Sequence, residues 1–178
     1  FRKSGIAGIG DKIENLFYNA AQGSRNPHHS CIAYLKTDNS FEMLGTKNGS
    51  IEPERKQTRY KYSPAHQDVA VCCNPNAGRI SPYFVQNSWF KENDTTLVAA
   101  LLLPNVLQTD LNGRALTIAN RTNYPFENKF TFKISQAQSS TFAIKIRIPE
   151  WVKRVVTKEK YEVKEGFMVV TRKFKAND

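Results

Sequence analysis

From Thr95 onward the hydrophobic period of this chain changes to two, and that period is the strongest constraint on its fold. Successive side chains of a strand point to opposite faces, so alternation marks strands buried on one side. The pattern predicts strands at 97–103, 106–111, 114–119, 129–136, 141–148, 161–163 and 167–174. Phe130, Phe132 and Ile134 then share one face, as do Phe142, Ile144, Ile146 and Ile148. Asn112-Gly113 is a strong hairpin signal, because both turn residues need positive φ. Short strands with frequent turns imply a mainly β fold, an antiparallel β-sandwich.

The region before Thr95 reads differently. Asp11 and Glu14 form a capping-box pattern at a helix start. Ile13, Leu16, Phe17 and Ala20 then make one apolar stripe, and Gly23 is a natural stop. Such a stripe needs cover, and further helices are the expected source. Residues 24–70 are loop-rich, with strand candidates at 31–35 and 41–44, a turn at Asn48-Gly49 and a polar stretch over 52–61. The apolar run 69–73 ends in Asn74-Pro75-Asn76, and a second helix is expected over 76–90, with Pro82 as its first residue or a kink. The chain ends as a strand running into a turn, its partner strand absent from the sequence. These features describe a piece cut from a larger protein.

The net charge of +10 raises nucleic acid as a partner, but the distribution argues against it. Ten of the 26 basic residues lie between Lys145 and Lys175, interrupted by Glu150, Glu159, Glu162 and Glu165. In Ile144-Lys145-Ile146-Arg147-Ile148 the alternation assigns the charges to the solvent face of a strand. No run approaches the ~18 apolar residues of a membrane span. The first residues, Phe1-Arg2-Lys3-Ser4, carry no signal-peptide hydrophobic region, as in a mature or excised chain, so they give no address; a periplasmic or extracellular setting is the expectation.

The chain has three cysteines, Cys31, Cys72 and Cys73. An odd number with two adjacent makes a disulfide framework a poor reading. Buried thiols, a reactive thiol or metal ligands remain. Adjacent thiolates suit zinc and reach one ion only from a bent backbone, which Asn74-Pro75-Asn76 supplies. A metal-bound thiol is deprotonated at neutral pH and becomes a nucleophile. His66 and Asp68 precede the pair and could complete such a site, as could His28 and His29 near Cys31. Trp89, Tyr124 and Trp151 could stack on a sugar ring, although core or edge packing is the commoner use of such residues.

The order of motifs adds to this reading. Glu14-Asn15-Leu16-Phe17-Tyr18-Asn19 comes first, and Val71-Cys72-Cys73-Asn74-Pro75-Asn76-Ala77-Gly78-Arg79 leads into a helix holding Tyr83. Thr122-Asn123-Tyr124-Pro125-Phe126, Arg147-Ile148-Pro149-Glu150-Trp151 and Lys175-Ala176-Asn177-Asp178 follow. This series resembles the β-L-arabinofuranosidases of glycoside hydrolase family 127 (GH127) from about Gly10 to Asp178.

The resemblance implies a C-terminal remnant of an (α/α)-barrel catalytic domain over 1–91 and a β-sandwich domain over 92–178. It implies a retaining glycoside hydrolase in which Cys72 is the nucleophile and Cys72 and Cys73 are zinc ligands. An upstream glutamate and cysteine complete the zinc site and another upstream glutamate is the acid/base; none of these is in this sequence, and Cys31 does not replace them. The expected partners are a carbohydrate substrate and an N-terminal catalytic domain. By itself the chain is expected to be inactive and to hold zinc weakly. The alternative is a non-catalytic sandwich module that packs on a catalytic domain or binds carbohydrate.

Overall fold

A computed structural model describes residues 1–23, 25, 31–35, 59–62 and 73–178. The chain divides into two compact units, one of Phe1–Glu14 with Phe84–Asp178 and one of Asn15–Tyr83.

The first unit holds two sheets. Strands β3 (Trp89–Asn93), β4 (Thr96–Ala99), β8 (Ser140–Arg147), β9 (Glu162–Lys164) and β10 (Phe167–Phe174) form a five-stranded sheet ordered β3-β4-β8-β10-β9. Strands β5 (Asn105–Leu111), β6 (Arg114–Thr122) and β7 (Phe130–Gln136) form a three-stranded meander. Neighbours pair antiparallel except β4 and β8, which run parallel with Leu97 opposite Ile144. The exception follows from the path. After β4 the chain leaves the larger sheet, builds the meander, and re-enters beside β4.

The sequence period accounts for the core. Leu97 on β4, Ile118 on β6, Ile134 on β7, Phe142 and Ile144 on β8, and Val170 and Phe174 on β10 form one buried cluster that draws on both sheets. Each such side chain contributes about 1.5–3 kcal/mol relative to exposure. The mainly β sandwich expected from the alternation is the observed fold. Asn112 and Gly113 have φ of 50° and 71° in the β5–β6 turn, as that turn requires. Glu165 and Gly166, with φ of 52° and 81°, make the same kind of turn between β9 and β10.

Three expectations need correction here. The second helix, α2, runs over Cys73–Gln86 with Pro82 inside it, and residues 89–93 form β3. The apolar run 97–103 is a strand only to Ala99. Beyond it the N–H groups of Ala100 and Leu101 turn to Ser88 O, although the residues stay buried. The last residues do find a partner within the chain: Ile134 N–H donates to Asp178 O at 2.7 Å, and Asp178 N–H donates to Ile134 O at 3.0 Å.

The first helix, α1, spans Ala7–Asn15 and so begins before Asp11, which does not cap it. Its buried residues are Gly10 and Glu14, not an apolar stripe. In the second unit, Leu16–Gln22 is π-helical and Leu16 is 66% exposed. Gly23 ends this stretch at φ −64°, without the left-handed conformation of a glycine stop. Strands β1 (Cys31–Leu35) and β2 (Arg59–Tyr62) pair antiparallel, with Cys31 opposite Tyr62. The strand candidate at 41–44 and the turn at Asn48-Gly49 lie outside the described residues.

Candidate functional site

Cys73 is the first residue of α2, so the Asn74-Pro75-Asn76 bend expected after the pair is the opening turn of a helix. Helix N-termini carry unsatisfied N–H groups and a positive dipole end, which favour a thiolate nearby. Within the second unit, Arg25 donates to Ala77 O and Gln22 Nε2 donates to Ser81 Oγ at 3.0 Å, which ties both residues to α2. Cys72, His66 and Asp68 lie outside the described residues, as do His28 and His29. Among the described residues no group of three or more His, Cys, Asp or Glu side chains is placed to hold a metal ion.

The cluster that the structure does assemble is centred on Arg147. On the outer face of the larger sheet its side chain is fully buried. Nε donates to Ala100 O at 2.7 Å, Nη1 pairs with Asp11, and Nη2 pairs with Glu14. Glu14 is engaged on both oxygens: Oε1 accepts Leu102 N–H at 2.6 Å and Oε2 accepts the Tyr124 hydroxyl at 2.7 Å. Asp11 Oδ2 accepts Glu150 N–H at 3.1 Å. One guanidinium and its two carboxylates thus link β8 and the Glu150 segment after it to α1, to the segment after β4 and to the turn after β6.

The local sequence explains this arrangement. Asp11 and Glu14 stand three residues apart, on one face of α1. Gly10 on the same helix lets it approach, since a Cβ there would collide with the Arg147 side chain. Leu102 N–H, released where β4 ends, takes a carboxylate in place of a ladder partner. The expectation that the odd-numbered residues of β8 face solvent is therefore wrong. They face away from the sandwich core, but α1 covers Arg147, and Lys145 pairs with Glu92 at 2.8 Å.

The aromatic candidates separate. Trp89 packs edge-on against Phe132 and donates to Asn105 Oδ1 at 3.0 Å, and Tyr124 is buried against Glu14. Both are packing residues. Trp151 is 52% exposed and lines a cleft of about 880 Å³ between the two sheets.

A second arginine cluster lies at the far end of β10. Arg172 Nη1 donates to Asp178 at 2.5 Å and Nε donates to Glu159 at 2.9 Å. The Arg172 hydrogen bond, with a further one from Lys175 N–H, lowers the Asp178 carboxyl below its usual range. Bonds to Asp178 and Glu159 raise the Arg172 guanidinium. No helix among the described residues is long and apolar enough to cross a membrane.

This two-sheet sandwich with a helix on its outer face has known counterparts. Residues 96–178 match the family model described as Beta-L-arabinofuranosidase, GH127 middle domain. The fold is similar to that of Ara127N-Se, a GH127 beta-L-arabinofuranosidase from Geobacillus Stearothermophilus T6. That similarity has a TM-score of 0.54 and 23% identity, over 61% of this chain and 18% of that one. The GH127 beta-arabinofuranosidase BT3674 is also similar, with a TM-score of 0.48 and 22% identity over 60% of this chain and 20% of that one. No curated protein matches the sequence. The likeness of the matched region, 96–178, is to the middle domain of GH127 β-L-arabinofuranosidases. The chain spans less than a fifth of the Geobacillus protein.

Proposed function

We propose that the chain is part of a retaining glycoside hydrolase of the zinc-thiolate type, acting on L-arabinofuranosyl or similar linkages. The observation that carries this reading is the GH127 middle-domain match over 96–178, preceded in the same chain by the Cys-Cys pair that leads into α2. On this reading residues 1–91 end an (α/α)-barrel catalytic domain and 92–178 are the sandwich.

Two thiols are a donor pair that fits zinc, and they are half of a four-ligand set. Cys72 and Cys73 would hold the ion, with the other ligands supplied by the rest of the enzyme. Bound zinc would keep Cys72 deprotonated at neutral pH. The Cys72 sulfur then bonds to the anomeric carbon as the glycosidic C–O bond breaks, and a glutamate outside this chain protonates the leaving oxygen. Water, deprotonated by the same glutamate, displaces the thiolate in the second step.

The test uses an aryl L-arabinofuranoside. In the complete enzyme Cys72→Ser should lower turnover on the order of a thousandfold or more. The 178-residue chain alone should release no p-nitrophenol above buffer. Full activity in the variant overturns the role of Cys72, and turnover by the chain alone overturns the division of labour.

A second role is favoured by the Arg147 cluster. The sandwich serves as a packing module, since α1, on this reading a barrel helix, is bound to it by two ion pairs to the buried Arg147.

A further inference from the structure

Three segments of the chain, Asn48-Gly49-Ser50, Asn93-Asp94-Thr95 and Asn120-Arg121-Thr122, carry the Asn-x-Ser/Thr pattern of acceptors for N-linked glycans. The pattern names the chemistry, and the fold decides which amide can be reached. Asn48 lies outside the described residues. Asn120 and Asn93 stand in opposite situations.

Asn120, on β6, is buried. Its Nδ2, the atom that would carry a sugar, donates to Leu103 O at 2.8 Å. A glycan there would break that bond and force its bulk into packed side chains.

Asn93 closes β3 at a hairpin tip, where Asp94 and Thr95 form the turn and Thr96 stands opposite Asn93. All three residues of the pattern are exposed, the Asp94 side chain by 76%. Asn93 Oδ1 accepts Thr95 N–H at 2.9 Å and the Thr95 hydroxyl at 3.0 Å. A backbone N–H can only donate, which identifies the accepting atom as the amide oxygen and puts Nδ2 on the other side. Among the described residues that nitrogen has no hydrogen-bond partner. The turn is also anchored, because Thr95 O accepts Ala143 N–H at 2.9 Å and Lys91 pairs with Asp94 at 3.2 Å. β3 is an end strand of the larger sheet, so a group on this tip leaves the molecule at an edge. A bulky polar group at such an edge also hinders pairing with another chain.

We propose that Asn93 is an acceptor site for an N-linked glycan, and that Asn120, with the same pattern, is not. The donor is an oligosaccharide on a lipid pyrophosphate, and the enzyme is an oligosaccharyltransferase. Nδ2 bonds to the anomeric carbon as the bond from that carbon to the pyrophosphate oxygen breaks, and one Nδ2 proton is released. The lipid pyrophosphate is the leaving group. The inference is independent of the hydrolase reading and of the sugar that the enzyme cleaves.

The test sends the 178-residue chain, behind a cleavable export leader and an Asn-Ala-Thr tag, through the secretory pathway of a host that has this transferase. The tag reports that the machinery reached each molecule. Peptide N-glycosidase leaves aspartate wherever a glycan was bound, and peptide masses then locate the site. In the folded chain, secreted or retained, Asn93 should be occupied in most molecules and Asn120 bare. Asn93→Asp keeps an oxygen for both Thr95 bonds and lacks the amide nitrogen. It should therefore fold with the thermal midpoint of the deglycosylated parent and lose this glycan alone. A bare Asn93 beside a glycosylated tag overturns the proposal. So does folded chain that carries a glycan on Asn120 as often as on Asn93.

Discussion

Two arginines of the sandwich each hold two carboxylates, and their surroundings differ. Arg147 has no exposed side-chain surface and sits beneath α1. Arg172 is 33% exposed at the rim of the cleft, and part of its hold is a cation–π contact with Phe174 at 4.1 Å. A buried charge that loses its partner cannot turn to water, whereas an exposed one can. The same chemical group therefore fixes the architecture in one place and only adjusts it in the other. The buried cluster brings together residues 136 positions apart in sequence, Asp11 and Arg147, and so joins the helix to the sheet.

The largest effect should come from breaking the buried cluster on one side. Arg147→Met leaves Asp11 and Glu14 charged and unpaired, and should cost about 3–5 kcal/mol of unfolding free energy. Denaturant titration monitored by Trp fluorescence measures this. The comparison sharpens with Arg147→Met combined with Asp11→Asn and Glu14→Gln, which removes all three charges together. That triple variant should be more stable than Arg147→Met alone. If it is less stable, the unpaired carboxylates are not the source of the loss, and the contrast between buried and exposed clusters fails.

A smaller effect should follow at Tyr124. Tyr124→Phe keeps the ring on Phe130 and removes one hydrogen bond to Glu14, which should cost about 1–2 kcal/mol. The same substitution beside a neutralised Glu14→Gln should cost less, because the bond is then no longer to a charge. A double-mutant cycle reads the difference, and strict additivity would place Tyr124 outside the cluster.

The alternation from Thr95 onward made the sandwich legible, because a strand period leaves little choice of face. What failed to show were the places where one element interrupts another. Residues 100–103 are as apolar as a strand, yet the backbone there turns to Ser88 and Glu14. Trp89 and Phe90 follow Gln86-Asn87-Ser88 at the end of a helix and read as its tail, although they open β3. Arg147 alternates outward as any solvent-facing residue would. Period alone cannot say that a helix lies over that face. The signal that was available is Asp11 and Glu14 on the same helix as Gly10, a charged face with room for close approach.

The candidate site was legible in a different sense. The cysteine pair before an Asn-Pro-Asn bend names a chemistry, and the motif order names a family, but neither fixes the distance between ligands. Cys73 stands at the start of α2, and on the proposed reading the residues that would complete a zinc site belong to other parts of an enzyme. Thiolate chemistry is written in residue type. A coordination sphere is written in tertiary structure.

The smallest expected effect is at the exposed cluster, and it has a pH signature. The Asp178 carboxyl is held below its ordinary value of 3.8, first by the Arg172 hydrogen bond and then by Lys175 N–H. A carboxyl depressed in the folded state stabilises the fold above its unfolded pKa, and that stability is lost as pH falls through the folded one. The contribution is therefore fully present at neutral pH and fades below about pH 4. Asp178→Asn should cost no more than about 1 kcal/mol at neutral pH, because solvent screens the pair. The gap between the midpoints of the parent and Asp178→Asn should narrow as the titration moves from about pH 6 to below about pH 3. A gap that persists unchanged at the acid end would mean that Asp178 acts through its backbone bonds to Ile134, which the asparagine keeps, or through shape, and not through charge. Salt separates the two clusters further. Added sodium chloride should shrink the Asp178 effect, since exposed pairs are screened, and should leave the Arg147 loss almost unchanged.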